Sequence, residues 1–148
     1  MSDWIETFRG AVLASEYDAS AHMNTQIYGT RFDQATWFVL ATIGVTPTAM
    51  RRQGKRVAIV RQTIQYLREL KGGELIVVKS GFVAVGEKRI RFLHRMFDSE
   101  TGRLVAVSDC TAVQASLKSQ KTLKLTKAQR TAAESHLVTD NVADTGGL

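Results

Sequence analysis

The 148-residue sequence predicts an α+β fold, with one long helix laid against a five-stranded antiparallel sheet and a short second helix near the C-terminus. Three observations predict it. Tyr28, Phe32, Ala35, Val39 and Ile43 recur in steps of four, three, four and four, the apolar stripe of a helix. Four later runs, rich in β-branched and aromatic residues, are cut by glycine-bearing turns. In one of them Ile90, Phe92, His94 and Met96 alternate with Arg89, Arg91 and Arg95, the period of a strand with one apolar face.

Taken in order, the short apolar segment Phe8 to Ser15 reads as a first strand. Asn24 suits the N-cap of a helix running from Thr25 to Ile43, and Gly44 with Pro47 marks its stop. Trp37, Phe38 and Leu40 widen the stripe, so the second half of the helix is expected to be buried all round. Thr48 to Lys55 reads as a polar, basic loop. Strands are expected over Val57–Arg68, Leu75–Val85, Ile90–Phe97 and Leu104–Leu117. The short turns between them, Lys71-Gly72-Gly73 among these, imply an antiparallel meander. Thr126 to Leu137 reads as a short polar helix, and Val138 to Leu148 as a tail. The length fits one domain over 1–148, with a core near 8–117 and a C-terminal extension over 118–148. A helix about 28 Å long covers one face of such a sheet, not both. The uncovered face and edges therefore predict a homodimer or homotetramer.

Composition narrows the function classes. At 44% apolar and 23% charged, the chain is neither disordered nor fibrous. It has no apolar run long enough to span a bilayer, and Met1-Ser2-Asp3-Trp4 does not open a signal peptide, so a cytoplasmic protein with no membrane partner is expected. A single cysteine, Cys110, and three scattered histidines (His22, His94, His136) offer no metal-ligand set, and no cofactor is expected. Asp109 and Cys110 lie mid-strand without a local base, which argues against a cysteine nucleophile. The net charge of +6 is concentrated: Gln34 to Arg68 holds six bases and no acid, and Cys110 to Ala133 five bases and no acid. Such a patch attracts nucleic acid, acidic lipid or a nucleotide's phosphates. The missing interleaved surface aromatics argue against nucleic acid.

The stretch Glu16 to Tyr28 carries the chemistry. It sets Asp18, His22 and Asn24 just ahead of a helix N-terminus, where unpaired N–H groups and the dipole favour an oxyanion. An acid beside an oxyanion site can hydrolyse an acyl bond, although Asp and Asn at such a place also serve as caps. The spacing Asp18, His22, Asn24 and Tyr28, followed by Phe32 and Asp33, resembles the acyl-CoA thioesterases of the 4-hydroxybenzoyl-CoA thioesterase family, whose signature is roughly Asp-x-x-Gly-His-x-Asn-x-x-x-Tyr. The resemblance covers about 8–117 and departs from the pattern at Ala21, where glycine is usual, and at Thr25, where a second asparagine is common. Tyr66-Leu67-Arg68-Glu69, Gly72-Gly73 and Lys88-Arg89-Ile90 with His94 are similar to the thioesterases of carnitine and betaine breakdown.

This resemblance implies a hot-dog fold, a sheet wrapped around a central helix, and hydrolysis of an acyl-CoA to acid and coenzyme A. It implies that Asp18 is the nucleophile or general base, that His22 and Asn24 orient it or the acyl chain, and that amides from Asn24 through Thr25 to Gln26 polarise the carbonyl. Tyr28 would line the substrate site, and Arg51, Arg52, Lys55, Arg56, Lys88, Arg89 and Lys118 would attract the phosphates of coenzyme A. A carrier-protein thioesterase and a non-catalytic nucleic-acid binder are the competing readings.

Overall fold

Asn24 starts the central helix as expected, its side chain accepting from the Gln26 N–H at 3.0 Å, and α1 runs over Thr25–Ala41. Gly44, at φ +82°, ends the loose turn that follows. The computed structural model describes residues 4–139, so the expected tail lies outside the described residues from position 140 onward. Ahead of α1, β1 covers Ile5–Ala11 and a single 3-10 turn covers Ala14–Glu16, where one strand was expected from Phe8 to Ser15. Next comes α2, Pro47–Gln53, in place of the expected loop. Pro47 does not merely stop a helix; it opens one, with Thr46 as N-cap and Gly54, at φ +65°, as C-cap.

The strands are β2 Lys55–Tyr66, β3 Leu75–Val85, β4 Arg89–Asp98 and β5 Leu104–Ser116, with a two-residue β6, Thr122–Leu123. All pair antiparallel, in the order β1-β3-β4-β5-β2, with β6 on β5. The meander is therefore only partly right. β3, β4 and β5 form one, but β2 pairs with β5 from Lys55↔Ser116 to Tyr66↔Ala106, so the chain crosses over between β2 and β3. Lys71-Gly72-Gly73 lies in that crossover and is not a hairpin turn. Local turn chemistry was correct there, but the choice of strand partner is set by burial across the whole sheet.

The sheet curls around α1 as the hot-dog resemblance implies. Phe32, Ala35, Val39 and Leu40 pack on Ile76, Val78 and Phe82 of β3 and on Phe92 and Met96 of β4, all buried. The helix is not buried all round. Phe38 is 61% exposed, because no element among the described residues covers that side of α1. On the sheet's other face Arg91 pairs with Asp109, while Arg95 is buried with its guanidinium 4.1 Å from the Trp4 ring, so that face is not simply wet. α3, Lys127–Glu134, is capped by Thr126 and is shorter than expected. The chain after it extends the edge of β3: Phe82 N–H donates to His136 O and Val138 N–H to Phe82 O. Gly81 makes room, since a Cβ there would lie 2.4 Å from the Val138 side chain.

His94 sits at the centre of the helix–sheet interface, fully buried between Thr36 Oγ1 at 2.8 Å and Ser80 Oγ at 2.5 Å, with Thr7 Oγ1 2.8 Å beyond Ser80. Burial pushes its pKa down to about 3. A neutral ring has one donor and one acceptor, and the rotatable hydroxyls on either side can satisfy both.

Two predictions follow from this packing. Between about pH 6.5 and 3 the unfolded chain takes up a proton at His94 that the folded chain refuses, so stability falls as pH falls across that window and is flat above it. His94→Gln should remove a slope of up to about 1.4 kcal/mol per pH unit from urea-denaturation free energies; equal slopes in both proteins would refute the assignment. The second concerns Ala21, which stands at φ +65° in the hairpin closed by Tyr17 and Met23. An L-residue there costs about 1 kcal/mol, so Ala21→Gly should raise the unfolding free energy by up to that much, less some unfolded-state entropy, read as a higher urea midpoint at unchanged m.

Candidate active site

The segment between β1 and α1 is held from both ends. The Glu16 carboxylate accepts from Leu13 N–H at 2.8 Å and from the Arg31 guanidinium of α1 in a buried ion pair, and Arg31 itself lies 5.2 Å from the Phe8 ring centroid. Glu16 O accepts from Asn24 N–H at 2.8 Å, which closes the loop at its far end. Within it Asp18 N–H donates to His22 O, and Ala21 N–H to Asp18 O. The hairpin is then stitched to the β2–β3 crossover: Met23 N–H donates to Leu70 O and Gly72 N–H to Ala21 O. Gly72 is glycine because the Tyr17 ring lies on it, where a Cβ would come within 2.0 Å.

This frame fixes the Asp18 carboxylate. Oδ1 accepts from Ser20 N–H at 2.9 Å, from the Ser20 hydroxyl at 2.5 Å and from His22 N–H at 3.4 Å, and among the described residues no donor reaches Oδ2. Led by the Ser20 hydroxyl, these bonds hold the carboxyl below its ordinary range, so it is ionised at neutral pH. His22 places Nδ1 3.0 Å from Ser20 Oγ and Nε2 3.3 Å from Glu69 Oε2.

Asp18, His22 and Thr25 line a cavity of about 460 Å³ with Tyr28, Tyr66, Arg68 and Glu69. Tyr28 and Tyr66 meet edge to face at 5.3 Å. The Tyr28 phenol accepts from Leu70 N–H at 3.2 Å and reaches Arg68 O at 3.5 Å, which anchors the crossover on the helix, and burial pushes its pKa up. Of the amides expected at the helix start, Asn24 N–H donates to Glu16 O and Gln26 N–H to the Asn24 side chain. Thr25 N–H alone of the three has no acceptor among the described residues. Among the described residues no group of three or more His, Cys, Asp or Glu could hold a metal.

The basic residues lie elsewhere. Arg51 and Arg52 lie in the last turn of α2, Lys55 and Arg56 begin β2, Lys88 precedes β4 and Arg89 begins it, and Lys118 follows β5. The register puts Lys55 beside Ser116 and Arg89 beside Val113, whereas Tyr66, at the cavity, is beside Ala106. At 3.3 Å per residue, β2 separates the two ends by about 36 Å. Within one chain the structure does not bring these residues to Asp18. Sequence reading gave no role to Ser20 or to the Glu16–Arg31 pair. The Asp-x-Ser spacing was the available signal for the first, since a serine two residues after an aspartate suits a side-chain-closed turn.

Comparison with known proteins gives the family and the fold. A family model described as the Thioesterase-like superfamily matches residues 12–133. The betainyl-CoA thioesterase of Pseudomonas aeruginosa is 24% identical over 117 residues, 79% of this chain and 74% of that protein. A hypothetical protein of Staphylococcus aureus, solved in complex with CoA, superposes with a TM-score of 0.87 at 14% identity, covering 100% of this chain and 95% of its own. A 1,4-dihydroxy-2-naphthoyl-CoA thioesterase from Synechocystis superposes with a TM-score of 0.75 at 15% identity, covering 85% and 93%. Matched over most of its length, and carrying the sheet and central helix of these structures, the chain belongs to the Thioesterase-like superfamily.

Proposed function

We propose that this protein hydrolyses an acyl-CoA thioester to the free acid and coenzyme A, with Asp18 as the reacting carboxylate. The observation that carries the reading is an ionised Asp18, with one oxygen held and the other unpartnered, in a cavity also lined by Thr25, whose N–H at the helix start has no acceptor among the described residues. The thioester oxygen would accept from Thr25 N–H, worth about 3 kcal/mol if well aimed. Asp18 Oδ2 would either attack the carbonyl carbon, expelling the CoA thiolate and leaving a mixed anhydride that water then hydrolyses to the free acid and Asp18, or take the proton of a water that attacks the carbonyl directly as the CoA thiolate leaves. His22 and Asn24 act from behind, on the loop and on the helix cap.

The acyl group we favour is compact and positively charged. Two tyrosine rings and the carboxylates of Asp18 and Glu69, against the one guanidinium of Arg68, line the cavity and suit a cation, which aromatic faces and carboxylates both attract. The name of the Pseudomonas aeruginosa relative points the same way. A panel of short, aromatic and trimethylammonium-bearing acyl-CoA esters, assayed for released thiol, tests this choice.

A second copy completes the site in this reading. Among the described residues β2 pairs on one side only, and Ile59, Val60 and Tyr66 are 41%, 46% and 51% exposed. If two β2 strands pair antiparallel about a centre between Val60 and Arg61, the partner's Lys55 and Arg56 arrive beside Tyr66. The basic end of each chain would then serve the CoA phosphates at the other's Asp18.

Asp18→Asn tests the central claim. It should keep fold and assembly and lose about two or more orders of magnitude in kcat. Asparagine caps a turn as well as aspartate does, so a merely structural residue would leave turnover intact. For the assembly, light scattering should give a dimer or a larger species rather than a 16.4 kDa monomer. Lys55→Glu with Arg56→Glu should raise KM at little changed kcat, and added salt should narrow the gap. A salt-independent KM equal to wild type would remove these residues from phosphate binding.

A further inference from the structure

Ser20 stands between Asp18 and His22 and has no role in the reaction above. Asp18 Oδ1 meets the Ser20 hydroxyl, Ser20 Oγ meets His22 Nδ1, and His22 Nε2 meets Glu69, at 2.5, 3.0 and 3.3 Å. The direction of the bonds follows from the groups. An ionised carboxylate only accepts, so the Ser20 proton points to Asp18 and the proton on His22 Nδ1 points to Ser20 Oγ; the Glu69 carboxylate is then a partner of Nε2 only when that nitrogen also carries a proton, in the imidazolium form. Glu69 belongs to the β2–β3 crossover and not to the Asp18 hairpin, so this series of contacts ties the carboxylate to a second segment of the protein. The N–H groups of residues 20 and 22 would reach Oδ1 whatever side chains stood there. The hydroxyl is what serine adds, and it is the link that connects Asp18 to His22 and Glu69.

We propose that Ser20 is a positioning residue for thioester hydrolysis, its hydroxyl, backed by His22 and Glu69, fixing the rotation of the Asp18 carboxylate so that Oδ2 is the oxygen that reacts. The inference rests on the reading of Asp18 as the reacting acid. A carboxylate pivots about a soft torsion, so backbone donors on one side leave its plane loosely set. A third, charge-assisted bond that is itself anchored narrows that freedom before substrate arrives. Ser20 is exposed and outside both core clusters, so losing its hydroxyl leaves the fold intact.

The pH dependence separates positioning from mere structure. The groups around Asp18 are His22 on its own hairpin, Tyr28 from α1, Tyr66 from β2, and Arg68 and Glu69 from the crossover. Replacing Ser20 alters none of their charges. The Ser20 hydroxyl is the largest influence holding Asp18 ionised, so its removal raises the Asp18 pKa, and activity that needs the carboxylate fails at a higher pH than before.

The experiment measures kcat and KM across pH for wild type, Ser20→Ala and Ser20→Thr, with Asp18→Asn as reference. Ser20→Ala should lose roughly tenfold or more in kcat, the scale of one hydrogen bond to a charged group, at unchanged KM, and its acid limb should move to higher pH. Ser20→Thr, which keeps the hydroxyl, should restore both. Wild-type kcat and an unmoved acid limb in Ser20→Ala, beside an inactive Asp18→Asn, would overturn the role of Ser20 and leave the thioesterase reading standing. An active Asp18→Asn would overturn both. A carbon-13 titration of the Asp18 carboxyl, assigned by its loss in Asp18→Asn, reads the link without substrate: its midpoint should rise in Ser20→Ala, and an unmoved midpoint would also overturn the proposal.

Discussion

The seating of α1 on the sheet is the constraint on which the rest depends, and the His94 imidazole sets it. The ring stacks on Phe32 at 5.7 Å, reaches Thr36 one turn along the helix and binds Ser80 of β3. An apolar interface alone tolerates small slides, because hydrophobic contact is not directional. A buried polar group is different: shifting α1 by one residue would leave His94 Nε2 buried without its Thr36 partner, at a cost of about 1–3 kcal/mol. The helix is thus held in one register, and its N-terminus is delivered to one end of the sheet. Because the ring must stay neutral, this register is specified at neutral pH and weakened in acid.

What stands at that helix end is assembled from pieces far apart in sequence. The hairpin from Tyr17 to Met23 carries a left-handed alanine, and a stretch this short would not hold that conformation alone. Its hydrogen bonds to Leu70 and Gly72, and the Tyr17 ring laid on Gly72, hold it. The Glu16–Arg31 pair joins the same hairpin to α1 from the other side. Buried ion pairs are poor evidence for stability, and Arg31 Nε, buried without a partner, shows that this one is not fully satisfied. Its contribution is geometric, because it sets where Glu16 stands, and Glu16 O holds Asn24, the first residue of the cap.

The sequence revealed those parts whose causes are local. The α1 stripe and the Asn24 cap predicted a helix whose observed start matches, and Leu75–Val85 is bounded by turn residues that the strand respects. Pro47 was ambiguous for a physical reason, since a proline both forbids helix before it and favours helix after it. β2 could be recognised as a strand, but no feature of its own residues names β5 rather than β3 as partner. At the site, Asp18 and Tyr28 stood out through their spacing. Ser20 did not, because a serine in a polar loop has many uses and only the fold brings Glu69 behind it. Phe38 misled because an apolar residue on a helix reads as core, while its 61% exposure becomes visible only when the facing element is missing.

Charge gives the last step. The acid-free stretches in the sequence looked like one basic surface, and the fold does gather most of them, but at the opposite end of β2 from Asp18. Electrostatic attraction falls within about 8–10 Å in salt, far short of the length of that strand. Either the basic end has no part in the reaction, or it acts on a cavity other than its own chain's. Antiparallel pairing of two β2 edges satisfies the second case at no added structural cost, since it also removes an open edge with exposed Ile59 and Val60 that would otherwise invite aggregation. The acid, the helix start and the phosphate contacts would then answer to different physical demands: a strained loop, a buried register and a free edge.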